Sequence, residues 1–123
     1  MKKALIIICV VVLILFSGCI LLSSLTKGDL EKIQNAEINM DNVNDGDFEG
    51  HSELGPVVVD VRVVVRNHKI NNVELVRHDC GFGHNADIIV EKMVEQNTWN
   101  VDAVSGATIS SEIIKNAVNK ALQ

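Results

Sequence analysis

Residues 102–108 read Asp-Ala-Val-Ser-Gly-Ala-Thr and stand immediately before an amphipathic run. Ser105, Gly106 and Ala107 are small, so an incoming group can approach the backbone closely. A helix start presents amides without carbonyl partners and the positive end of its dipole, a combination that receives an anion or a phosphate. Thr108 puts a hydroxyl at that position. Asp102 lies six residues earlier, with a carboxylate able to cap the turn or bind a metal. The residues describe a phosphate cradle with a hydroxyl in it, and they also read as an ordinary helix cap.

A second segment, His78-Asp79-Cys80-Gly81-Phe82-Gly83-His84, offers other chemistry. His78, Cys80 and His84 are three potential metal ligands, although their spacing matches no common zinc pattern. Cys80 as a nucleophile lacks an identifiable base. The glycines permit close approach to a ring or phosphate, and a polar surface loop is the plainer reading. Aromatic residues are Phe16, Phe48, Phe82 and Trp99, with no tyrosine. A flat ligand must therefore be held largely by aliphatic side chains and backbone. Phe48, Phe82 and Trp99 suit either ring contact or core filling.

These residues need elements to position them. After Pro56, Val57, Val59, Val61, Val63 and Val65 alternate with Val58, Asp60, Arg62, Val64 and Arg66, the pattern of a strand with one buried face. Asn67-His68-Lys69 is a tight connection, and Ile70 to His78 forms a second strand with Val73 and Leu75 on one face and Val76 on the other. Asn44-Asp45-Gly46-Asp47 is a turn signal, and Phe48 to His51 can form a short strand after it. Ala86, Ile89, Val90, Met93 and Val94 stripe a helix over 85–95. A link over 96–101 has room for another strand. A second helix over 109–122 is buried along Ile113, Ile114, Ala117, Val118 and Ala121, with Ser110, Ser111 and Glu112 suiting its start and Lys115 and Lys120 its later turns. The predicted fold class is α+β: an N-terminal transmembrane helix followed by a small antiparallel sheet, a hairpin, packed with two helices.

The N-terminus reads Met1-Lys2-Lys3, then an uncharged apolar run of 22 residues from Ala4 to Leu25. As a helix that run is ~33 Å long, which predicts a signal-anchor spanning the bilayer once. Lys2 and Lys3 before it place the following domain on the extracytoplasmic side. Phe16-Ser17-Gly18-Cys19 resembles a lipobox, so a lipoprotein acylated at Cys19 is the alternative. The predicted organisation is 1–25 anchor, 26–44 polar stalk and 45–123 working domain. Cys9 and Cys19 fall inside the apolar run, so Cys80 has no partner for an intrachain disulfide in that domain. A domain of roughly 80 residues is at the lower end for a self-sufficient core, and a bound cofactor would add stability.

The chain carries 11 basic and 16 acidic residues, a formal net charge of -5. Both lysines of the first 25 residues precede the apolar run, so the remainder holds 9 basic and 16 acidic residues, or -7. An acidic remainder argues against a nucleic-acid partner.

Asp102, Ser105, Gly106, Ala107 and Thr108 resemble the flavinylation motif of the FMN-binding domain family, in which an Asp and a short spacer lead to Ser or Thr and then Gly-Ala-Thr. Ala103 stands where the spacer more often begins with glycine. Asp45-Gly46-Asp47-Phe48-Glu49-Gly50 is similar to the family's opening turn, with Phe48 where tyrosine is commoner. The resemblance covers roughly residues 45–122. The family includes flavin-carrying subunits of the sodium-translocating NADH:quinone reductase and of the Rnf complex, and small membrane-anchored proteins. The resemblance implies that a flavin transferase, with FAD as donor and Mg²⁺, joins FMN to the Thr108 hydroxyl. Ser105, Gly106 and Ala107 would then shape the phosphate pocket, and Asp102 would support attachment. The implied function is electron transfer rather than turnover of a defined substrate, with membrane or extracytoplasmic redox proteins as partners. A noncovalent FMN binder or small reductase and a cofactor-free surface interaction module are the alternatives.

Overall fold

The computed structural model describes residues 1–31, 33–79 and 84–123, apart from the side chains of 18–29, 84 and 85. The chain divides into two units, Met1–Lys32 and Ile33–Gln123. The first is helix α1 (Lys2–Leu30), whose side chains up to Ser17 are exposed.

Among the described residues, no helix is long and apolar enough to cross a membrane. This corrects both the predicted transmembrane helix and the single-pass, extracytoplasmic placement that depended on it. Helix α1 takes in Lys2 and Lys3 at its start, and its side chains up to Ser17 are exposed. The Cys19 side chain, on which the lipoprotein alternative rested, lies outside the described residues.

The second unit is α+β. Strands β1 (Gly46–Leu54), β2 (Val57–Arg66) and β3 (Lys69–Asp79) form an antiparallel meander in the order β1-β2-β3. The sheet thus extends the predicted hairpin by a full strand, longer than the short segment expected around Phe48. β2 is the central strand, and its odd-numbered valines, Val57 to Val65, are all buried, as the alternation predicts. In β3, Ile70 and Val73 join that face. The β2–β3 register shifts twice, leaving Asn71 and Val76 as extra residues in bulges, and Val76 is exposed. The hairpin turn is Asn67–His68, with φ 55° and 59°. Both values suit the primed turn that matches strand twist. The Asp45 carboxylate accepts the His68 N–H at 3.1 Å and so supports this turn.

Helices cover one face of the sheet. A 3-10 turn (His84–Ile88) leads into α2 (Ile89–Gln96), which packs on β3. Asn97 in the left-handed region ends α2, its N–H reaching the Met93 and Val94 carbonyls. Residues 98–101 form no strand. Helix α3 (Thr108–Leu122) packs on β1 and β2 through Ile113, Ile114, Ala117, Val118 and Ala121, the predicted stripe. Lys115, read as suiting a later turn of the helix, is buried and bonds Glu112 at 3.1 Å.

Two contacts fix where α3 sits. At Gly50 in β1 a Cβ would lie 2.0 Å from the Ala117 carbonyl oxygen, so the helix backbone rests directly on the strand. Beside it the buried Ser52 hydroxyl donates to Asn116 Oδ1 at 2.7 Å. Residues 33–44 also lie against this unit: Val43 is buried, and Ile33, Ile38 and Met40 pack on the core.

Candidate functional site

The register places the start of α3 at one end of the sheet. Asn116 meets Ser52, and Ala117 and Ala121 meet Gly50, so α3 runs opposite to β1. Thr108 lies about 12 Å further along the helix from Asn116, toward the Leu54–Val57 end.

The segment 104–107 is a turn built by one side chain. The Ala107 N–H donates to the Val104 carbonyl at 3.0 Å, closing the turn around Ser105 and Gly106. Ser111, fully buried in the first full turn of α3, ties that turn to the helix. Its Oγ accepts the Val104 N–H at 3.0 Å and donates to the Ala107 carbonyl at 2.7 Å. Gly106 has φ 82°, a left-handed conformation that favours glycine, and its Cα faces open space.

Above this turn the helix begins with no side-chain cap. The first intrahelical bond is Ser111 N–H to the Ala107 carbonyl at 2.9 Å. Helical geometry therefore leaves the amides of Thr108, Ile109 and Ser110 without intrahelical acceptors. No acidic residue occupies the first turn. Thr108, the first residue of α3, is exposed, as are Ser105 and Gly106 in the turn before it. Three amides, a positive dipole end and an open, glycine-containing turn fit a phosphate group, and the hydroxyl fits an ester to it.

The structure thus brings together Ser105, Gly106, Ala107 and Thr108. Ala107 is buried and serves as the backbone pivot rather than as a lining side chain. Asp102 is exposed, and its carboxylate forms no hydrogen bond among the described residues. Ser111 lies at the helix start, as the sequence suggests, and its bond back to Val104 is the part that sequence reasoning missed. The signal was its spacing of four from Ala107, the distance at which a serine can bond the preceding turn's carbonyl.

Among the described residues the other candidates form no second site. Cys80, Phe82 and the Gly81–Gly83 loop lie outside the described residues, as does the His84 side chain. His78 is paired through Nδ1 with Asp87. No group of three metal-binding side chains occurs among the described residues. Phe48 and Trp99 are partly buried against the core, which accounts for both.

Comparison with known proteins agrees with the geometry. Residues 54–123 match the family model of the FMN-binding domain, which includes the turn and all of α3. No curated protein matched the chain.

Proposed function

This chain belongs to the FMN-binding domain family, whose cofactor is FMN, and from that premise we propose that it is an electron carrier holding FMN as a phosphoester of Thr108. The observation that carries the reading is that Thr108 is exposed at an uncapped helix start with no acid in its first turn. FMN supplies one- or two-electron redox chemistry, and the protein supplies position and polarity.

Each residue has a distinct part. The amides of Thr108, Ile109 and Ser110 hold the phosphate charge. Gly106 keeps the approach open, and Ser111 holds Val104 and Ala107 in the shape that admits it. Thr108 Oγ1 forms the new bond to the flavin-side phosphorus of FAD as the pyrophosphate bond breaks. AMP leaves and the hydroxyl proton passes to solvent. A covalent tether keeps the effective concentration of flavin high where aromatic side chains for ring stacking are few.

The partners in this reading are a flavin transferase with FAD as donor, and the redox proteins that deliver and collect electrons. The test is intact mass of the wild-type chain and of Thr108→Ala after co-expression with a flavin transferase. The expected result is an adduct of one FMN less water on the wild type and none on the variant. Flavin that binds folded wild type but washes off under denaturant would make the protein a noncovalent binder instead.

A further inference from the structure

The far half of α3 carries two buried asparagines whose partners are distant in sequence. Asn119 is fully buried. Its Oδ1 accepts the Ala36 N–H at 2.9 Å and its Nδ2 donates to the Ala36 carbonyl at 2.8 Å. One carboxamide thus meets both polar groups of one residue, as a neighbouring strand would. Asn116, also buried, donates through Nδ2 to the Gln34 carbonyl at 3.1 Å and to Asn35 Oδ1 at 2.9 Å. Its Oδ1 accepts the Ser52 hydroxyl at 2.7 Å. The family match begins at residue 54, so Gln34, Asn35, Ala36, Gly50 and Ser52 all lie outside it.

These bonds act on the helix that begins with Thr108. An apolar stripe is non-directional and tolerates small slides and rotations. Buried carboxamides do not. A displacement by one residue's rise, about 1.5 Å, separates donors from acceptors and strands polar atoms in the core. A helix transmits that constraint along its length, so the seat of Asn116 and Asn119 sets where the Thr108 hydroxyl and the first three amides point.

We infer that Asn116 and Asn119, closed over by residues 34–36, are positioning residues for the attachment of FMN at Thr108, and that the working flavin unit is 33–123 rather than the matched 54–123. The inference rests on the proposal that Thr108 is the attachment point.

Ala36→Pro in the full chain tests it. Ala36 is exposed, so the variant removes the N–H that Asn119 holds without replacing any buried side chain. Asn119→Leu is the companion, removing both bonds at similar volume. Covalent loading by a purified flavin transferase with FAD and Mg²⁺ is followed by intact mass, together with visible circular dichroism of the loaded protein and amide hydrogen exchange along α3. Both variants are expected to load about tenfold or more slowly, with an altered flavin dichroism, while still unfolding cooperatively above the assay temperature. Loading and dichroism at wild-type values in folded variants overturn the inference. If Asn119→Leu does not fold, Ala36→Pro decides alone. If folded wild type takes no flavin, the Thr108 proposal fails, and hydrogen exchange still decides the positioning: loss of α3 protection in Ala36→Pro supports it and unchanged protection overturns it.

Discussion

The Val104 amide donates to the Ser111 hydroxyl at 3.0 Å, so the loop before α3 is fastened by a side chain from inside that helix. The same hydroxyl donates to the Ala107 carbonyl, which also accepts the Ser111 N–H. Ser111→Ala leaves the Val104 N–H without its partner in a partly buried place. The expected loss is about 1–3 kcal/mol of stability, read by urea unfolding. FMN loading falls with it, because the loop loses its fixed shape. A variant that unfolds at the wild-type urea midpoint and loads normally would show that the link does not shape the site.

Gly106→Ala tests the turn itself. At φ 82° an added Cβ meets no neighbouring atom within 4 Å, so the cost is conformational and not steric. It is expected to be ~1–2 kcal/mol, with Gly106→Asn less costly than Gly106→Ala because asparagine tolerates the left-handed region. Thermal unfolding of the two variants side by side gives the order. Equal stability of wild type and Gly106→Ala would refute the strained-turn account.

Gly50→Ala behaves differently. A Cβ there lies 2.0 Å from the Ala117 carbonyl oxygen, a backbone atom in the middle of α3. Helix and strand must separate, at a cost of about 1–3 kcal/mol or more. Because the same helix begins with Thr108, FMN loading is expected to fall along with the unfolding midpoint. An unchanged midpoint would mean that α3 does not rest on β1 at this point.

Asp45 sets an acid limit on the β2–β3 turn. Hydrogen bonds from the Asn67 and His68 amides hold its carboxyl below the ordinary aspartate value, with smaller help from the charges of His68 and Arg66. A depressed folded value means that its contribution is present above the unfolded value, about 3.9, and is lost as pH falls through the folded one. Asp45→Asn is therefore expected to lower the melting temperature at neutral pH and to make no further difference at the acid end. A constant gap between the two proteins from pH 6 to pH 2 would contradict this.

Much of the second unit was legible because its signals are periodic. The alternation of Val57 to Val65 gave the central strand and its buried face, and the stripe Ile113, Ile114, Ala117, Val118 and Ala121 gave α3. The Asp102–Thr108 motif gave the place of the helix start and the family that the match over 54–123 shows. Strand β1 was read too short because Asp47, Glu49, His51 and Glu53 are exposed, and Gly50 breaks the apolar alternation where α3 needs room. The lodging of residues 33–44 was hard to see because its apolar residues are widely spaced and most of its hydrogen bonds to α3 use Ala36 and Gln34 backbone atoms. The transmembrane reading of the N-terminus rested on hydropathy over the whole apolar run. Among the described residues no helix is long and apolar enough to cross a membrane.

The bond between Ala36 and Asn119 joins residues 83 apart, whereas β2 and β3 meet through a two-residue turn. Closing a large loop has an entropic cost that a hairpin largely avoids, so the β2–β3 pair is expected to form before α3 is finally seated. The proposed attachment point at Thr108 would then be completed late in folding. An enzyme that recognises it in its seated form discriminates finished molecules from nascent or misassembled ones, so attachment of the flavin would double as a check on chain quality.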